Sequence, residues 1–163
     1  KEEFTIQQAQ GEKEVKELWK ARRSISPATF NLKPNKISED VAVPRSAIPE
    51  LVKFTEQLSK QLNLTILTFG HAGDGNIHVN IMLDKENITD AINGNKAKKL
   101  LFDHTINLKG TLSGEHGIGT SKSKYLTTEL DVPTIRVMRS IKTLLDPGNI
   151  MNPGKIFPDS HQE

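Results

Sequence analysis

Apolar and polar positions recur along this chain with two different periods, and the switches between them predict its elements. Over residues 12–25, Val15, Leu18, Trp19, Arg22 and Ile25 fall on one face at helical spacing. Glu residues gather toward the start of that helix and Arg toward its end, as the macrodipole prefers, and Pro27 ends or kinks it. Residues 28–35 hold Asn31, Pro34 and Asn35 and read as loop. A strand is expected over 36–44, around Asp40-Val-Ala-Val. A second helix, 47–62, carries Ile48, Leu51, Val52, Thr55, Leu58 and Leu62 on its apolar side. Residues 64–69 and 77–83 read as neighbouring strands joined by the glycine-rich 70–76 segment. No crossover helix fits between those two strands, so an antiparallel pair is expected. A third helix is expected over 95–108, then a strand or loop at 110–115. A last helix, 132–145, opens at Val132-Pro133, where proline suits a first turn, and a turn-rich tail follows. This order predicts an α+β fold, a mostly antiparallel sheet with helices packed on one face.

Composition narrows the function. The 163 residues are enough for one domain with a core, at 35% hydrophobic and 26% charged. A net charge of +2 and 5% aromatics give neither an electrostatic footprint nor a stacking surface for nucleic acid. No apolar run spans a bilayer, so no transmembrane segment is expected. Cysteine is absent, which removes disulfides, thiolate metal sites and cysteine nucleophiles and fits a reducing compartment. The start, Lys-Glu-Glu-Phe, has no apolar signal core and no initiator methionine, so the chain reads as a piece of a longer one.

Chemistry concentrates in two glycine-punctuated segments, Phe-Gly-His-Ala-Gly-Asp-Gly-Asn-Ile-His-Val-Asn (69–80) and Ser-Gly-Glu-His-Gly-Ile-Gly (113–119). Taken alone, the first segment reads as turn glycines with surface histidines. The second supplies a carboxylate and another imidazole and tips the balance toward a metal or catalytic site. Strand–loop–strand geometry brings His71 and His78 together, and Glu115 from a third strand completes a His/His/Glu set with positions open for water or substrate. His116 beside such a site suits a general base, provided a glycine-flanked turn lets it share a cavity with Glu115. Asp74 and Asn76 read as turn chemistry, whereas strand alternation puts Asn80 on the face of His78. Arg22, Arg23 and Lys36 read as solvated cations or, turned inward, as carboxylate clamps. His104 and His161 read as surface residues. Gly70, Gly73 and Gly75 precede a strand rather than a helix, so no dinucleotide-binding fingerprint is present.

With these residues in view, the chain resembles the C-terminal domain of the FAD-linked oxidase family, whose members include glycolate, D-lactate and D-2-hydroxyglutarate oxidoreductases. The resemblance rests on Gly-His-x-Gly-Asp-Gly-Asn-x-His-x-Asn (70–80), Ser-Gly-Glu-His-Gly-Ile-Gly (113–119) and Asp-Pro-x-x-Ile-x-Asn-Pro-Gly-Lys (146–155). Leu-Trp-x-x-Arg-Arg (18–23) and Lys-Ile-Ser-Glu-Asp-Val-Ala-Val-Pro-Arg-Ser (36–46) resemble its glycolate-oxidase-like branch. It implies that His71, His78 and Glu115 bind a divalent metal (zinc, manganese or iron) and that His116 is the base. Arg22, Ser26, Lys36 and Asn80 then contact a small 2-hydroxy carboxylate, and Asn152 lies in a segment that closes the cofactor site. It implies further that residues 1–163 are a ferredoxin-like-type cap domain of a two-domain flavoenzyme. The FAD-binding domain lies outside this chain, so the fragment alone is expected to be inactive. An iron–sulfur or other electron-acceptor subunit and a cytoplasmic place, peripheral to the membrane through that partner, complete the expectation. The rival readings are a metal-dependent hydrolase using the same residues and a non-catalytic accessory subunit.

Overall fold

A computed structural model describes residues 6–157, and His161 lies outside the described residues. The elements are α1 (Gly11–Ala28), β1 (Asn35–Ala42), α2 (Ile48–Leu62), β2 (Thr65–His71), β3 (Asn76–Leu83), α3 (Ile88–Asn107), α4 (Leu126–Glu129) and α5 (Val132–Leu145). The three strands form one antiparallel sheet in the order β1-β3-β2, so the fold is α+β, as the periodicities predict. β1 and β2 flank β3 in the manner of a split βαβ unit. The expected strand or loop at 110–115 is reduced to one bridge beside β1, where Ala42 and Thr111 exchange backbone hydrogen bonds of 3.1 and 2.8 Å.

Alternation gives the sheet two different faces. One carries Val41, Ile77, Val79 and Ile81, which pack with Leu51 and Leu58 of α2 and Leu101 and Phe102 of α3 into the hydrophobic core. The other carries Asp40, His78, Asn80 and Phe69, brought side by side by the register Asp40↔His78↔Phe69. α2 and α3 form the helical layer on the apolar face. α1 belongs to the opposite face, which it meets through Arg22, whose guanidinium lies 5.7 Å from the Phe69 ring centroid, and Ser26, which accepts a 2.9 Å hydrogen bond from Lys36. No residue of α1 is buried, and Trp19 is 57% exposed.

Helix ends follow their capping chemistry. α2 has Pro49 in its first turn and stops at Asn63, which takes a left-handed φ of 51°. α5 starts at Asp131, whose carboxylate accepts from Thr134 N at 2.9 Å. α3 begins seven residues earlier than its periodicity predicts, because Asn87 Oδ1 accepts from the N–H groups of Thr89 and Asp90. The Asn93-Gly94-Asn95 stretch masks this start, since these residues favour helices weakly. Gly94 is there for packing: a Cβ would lie 2.8 Å from Leu83 Cδ2 and 3.2 Å from Ile37 Cδ1. His104 is a correction to the surface expectation. It stacks on Phe54 of α2 at 3.9 Å and is half-buried, since it adjoins the inward Leu101 and Thr105 at the α2–α3 contact. Among the described residues, no helix is long and apolar enough to cross a membrane.

Core burial sets the stability expectations. Leu101→Ala empties a site with 0% exposure and is expected to cost about 2–5 kcal/mol of unfolding free energy in urea titration. Ile88→Ala, at a position 76% exposed, is expected to stay within about 0.5 kcal/mol of the parent in the same assay.

Candidate metal and substrate site

The polar face of the sheet ends in the turn between β2 and β3, and that turn is seated on β1. Gly75 has φ +77°, and a Cβ there would lie 2.1 Å from Val43 O, so a side chain is excluded twice over. Gly75 O accepts from Val43 N at 3.0 Å, and Asp74 N closes the turn onto His71 O at 3.0 Å. Asp74 lies in the turn as expected, whereas Asn76 opens β3 and its buried side chain reaches into the site. His71 is the last residue of β2, and its ring meets that of His78 edge-on at 5.5 Å.

Glu115 does not come from a third strand. It lies in the irregular segment after the Ala42–Thr111 bridge, and a buried carboxylate holds that segment in place. Asp40, 0% exposed, accepts at Oδ2 from the backbone N–H groups of Glu115 and His116, both at 2.9 Å, and from Ser113 Oγ at 3.4 Å. Its Oδ1 accepts from Asn76 Nδ2 at 2.7 Å. Gly114 is required by the same contact, since a Cβ would fall 1.8 Å from Asn76 Nδ2. Because successive N–H groups turn toward one oxygen, Glu115 and His116 leave the strand pattern and both side chains come to lie beside His78. His78 Nε2 lies 3.4 Å from Glu115 Oε1, His116 Nε2 lies 3.8 Å from the same oxygen, and the two rings stack at 5.7 Å.

One donor atom from each of Asp40, His78, Glu115 and His116 lies within 4.8 Å of all the others. His71 adjoins this group through His78. Imidazole and carboxylate at such spacing suit a borderline divalent cation. The protonation states agree. Burial pulls the His78 pKa below its ordinary value, and His116 and His71 add to this against the opposing charges of Asp40 and Glu115. At neutral pH the ring is a neutral donor. Burial alone would raise the Asp40 pKa, but the N–H groups of Glu115 and His116, the Asn76 amide and the Lys122 charge bring it down to about 2.

Beside the cluster, Asn80 is 1% exposed, and neither atom of its amide has a hydrogen-bond partner among the described residues. A buried amide left open in this way is poised for a ligand. Arg22 and the Lys36–Ser26 pair lie on the same sheet face, with Lys36 Nζ also 4.8 Å from the Phe30 ring centroid. Asn152 stands apart. It is exposed, takes a left-handed φ of 50°, and lines an apolar groove with Met138, Ile141, Leu145 and Phe157. The tail still touches the site segment, because Ile156 N donates to Gly119 O at 2.7 Å.

Two functional positions escaped the sequence reading, Asp40 and Lys122. Lys122 Nζ donates to the backbone carbonyls of Asp40 and Leu112 at 2.8 and 2.7 Å and so ties the site segment to β1 from the core side. Burial pushes its ammonium below the ordinary value, opposed by the charges of Glu39 and Asp40. An acid amid the apolar residues of a strand was a signal for Asp40. Lys122 gave none.

The chain is 42% identical over 153 residues to glycolate oxidase subunit GlcD of Bacillus subtilis, covering 94% of this chain and 33% of that protein. It is 37% identical to the mitochondrial cytochrome-type D-lactate dehydrogenase of Arabidopsis thaliana, covering 88% of this chain and 26% of that protein. It is 34% identical to the D-2-hydroxyglutarate dehydrogenase of Stutzerimonas stutzeri, covering 91% and 32%. The chain therefore spans about a third or less of the length of these curated relatives. The solved 4-ethylphenol oxidase of Gulosibacter chungangensis shares the fold, with a TM-score of 0.57 at 19% identity over 90% of this chain and 31% of that one. The family model for FAD linked oxidases, C-terminal domain, matches residues 2–156, and the chain belongs to that family.

Proposed function

We propose that this chain is the substrate- and metal-binding part of an FAD-dependent 2-hydroxy-acid dehydrogenase or oxidase of the glycolate or D-lactate class. The convergence of His78, Glu115 and His116 donor atoms beside the open amide of Asn80 is the observation that carries this reading. Family membership supports FAD as the cofactor, held by a separate domain of the full-length protein. An electron-acceptor partner and a cytoplasmic location belong to the same proposal.

The donor set fits a divalent cation, with His78 and Glu115 as ligands and His71 completing the family's set from beside them. When bound, that ion supplies the Lewis acidity that makes a coordinated hydroxyl easier to deprotonate. Bound FAD supplies the hydride acceptor.

The residues of this chain do the rest. Arg22 and Lys36 bring positive charge to the sheet face and bind the substrate carboxylate, Arg22 with its planar fork and Lys36 as a point charge. Asn80 offers an amide donor and an acceptor that no described residue uses, so it orients the hydroxy acid. Ser26 holds the Lys36 ammonium at 2.9 Å and borders the same space. His116, half exposed at the rim, takes the hydroxyl proton on its imidazole and returns it to solvent. Asn152, in the tail turn, belongs to the surface that closes the cofactor site.

Anaerobic titration of the full-length protein with a panel of 2-hydroxy acids is expected to bleach the flavin with glycolate or D-lactate. A colourless, FAD-free protein that hydrolyses esters or amides would sink the proposal. His116→Ala is expected to slow flavin reduction by about 10²–10⁴-fold while leaving flavin content unchanged, read by stopped-flow absorbance. His78→Ala is expected to lower bound metal in elemental analysis, and equal metal in variant and parent would remove it from the ligand set.

A further inference from the structure

Asp40 has no part in the chemistry just described, yet it touches both β3, which supplies His78, and the segment that supplies Glu115 and His116. Its carboxylate receives Asn76 from β3 and Ser113, Glu115 and His116 from the site segment. Its Oδ1 also lies 3.8 Å from His78 Nδ1, while His78 Nε2 points to Glu115. We propose that Asp40 is the positioning residue of this centre, the group that seats residues 113–116 on the sheet so that Glu115 and His116 face His78. This inference rests on the functional reading above.

Asp40 shares the cluster without sharing the ligand role. Three donors crowd Oδ2 and one takes Oδ1, whose remaining lone-pair direction faces His78 Nδ1 at 3.8 Å. What it supplies instead is orientation. With Nδ1 of His78 turned toward a carboxylate, Nε2 is the nitrogen left for a ligand, the arrangement by which outer carboxylates fix metal-binding imidazoles. The same oxygen that draws in two consecutive N–H groups brings Glu115 and His116 to one side. Asp40 is itself immobilised, because its side chain is wholly buried and its carbonyl accepts from Lys122 at 2.8 Å. An asparagine at position 40 offers one acceptor oxygen and adds two donors, so it cannot satisfy the same four partners.

A second substitution probes the seat from the other side. Gly114→Ala changes no donor in the cluster, but its Cβ would collide with Asn76 and come within 2.9 Å of Asp40 Oδ1. Both variants are made in the full-length flavoprotein and compared with the parent in flavin content, thermal midpoint, metal retained against a chelator, and kcat and KM for flavin reduction. Asp40→Asn and Gly114→Ala are expected to keep their flavin and to lose metal at chelator concentrations about 10–100-fold lower than the parent does. At saturating hydroxy acid, flavin reduction is expected to slow at least about tenfold while KM changes less than about threefold, because Arg22 and Lys36 are untouched.

A purely structural role for Asp40 lowers the thermal midpoint but leaves the chelator titration and the saturated rate of folded protein at parental values. That result overturns the proposal. If Asp40→Asn fails to fold, Gly114→Ala decides on the same readouts. A parent that holds metal but reduces its flavin with no 2-hydroxy acid counts against the functional reading alone, because the chelator titration still decides the role of Asp40. A parent that binds no divalent metal overturns both.

Discussion

An ionised carboxylate with no exposed surface is costly unless several donors satisfy it, and Asp40 is satisfied by groups from two distant parts of the chain, Asn76 and the 113–116 segment. The dependence runs both ways. Asp40 needs Asn76 at the start of β3 and the segment after α3, and that segment, which has no regular structure of its own, needs Asp40. The glycines follow from this constraint. Gly75 lets the turn lie on Val43, and Gly114 lets the site segment lie on Asn76.

The sheet separates stability from chemistry by face. Apolar residues of β1 and β3 point into the layer of α2 and α3, and the polar residues between them point to α1 and the donor cluster. One part of the apolar side breaks this rule. Glu39, buried beneath α3, pairs with Lys98 at 2.5 Å and lies 3.8 Å from Lys122. A buried ion pair of this kind is weak evidence for stability. Lys122 reaches past Glu39 to the carbonyls of Asp40 and Leu112, so a charge on the core side holds the backbone of the polar side.

Most of the fold was legible because it is local. Strand alternation placed His78 and Asn80 on one face, and the helical stripes of α2 and α5 matched their observed spans closely. The first two turns of α3 were hidden because Gly94 answers to Leu83 and Ile37 across space rather than to helix propensity. The donor residues His78, Glu115 and His116 were readable from their two motifs. Their arrangement was not, since Glu115 was assigned to a strand and is held by an acid 75 residues away. His104 was misjudged for a related reason, because only the tertiary contact with Phe54 makes its ring a packing element.

The span of these contacts also bears on how the chain folds. The bonds that seat the site segment on Asp40 join residues 73, 75 and 76 positions apart, and the Lys122 tether spans 82. The β2–β3 hairpin closes across a short turn, on the timescale of local structure. Closing the longer loops costs more entropy and is favourable only once β1, β3 and α3 have collapsed. Glu115 and His116 are therefore brought to His78 late, after the sheet that carries it. An ion that binds there meets its donors as a finished set. It can hold the native state without having guided the chain to it.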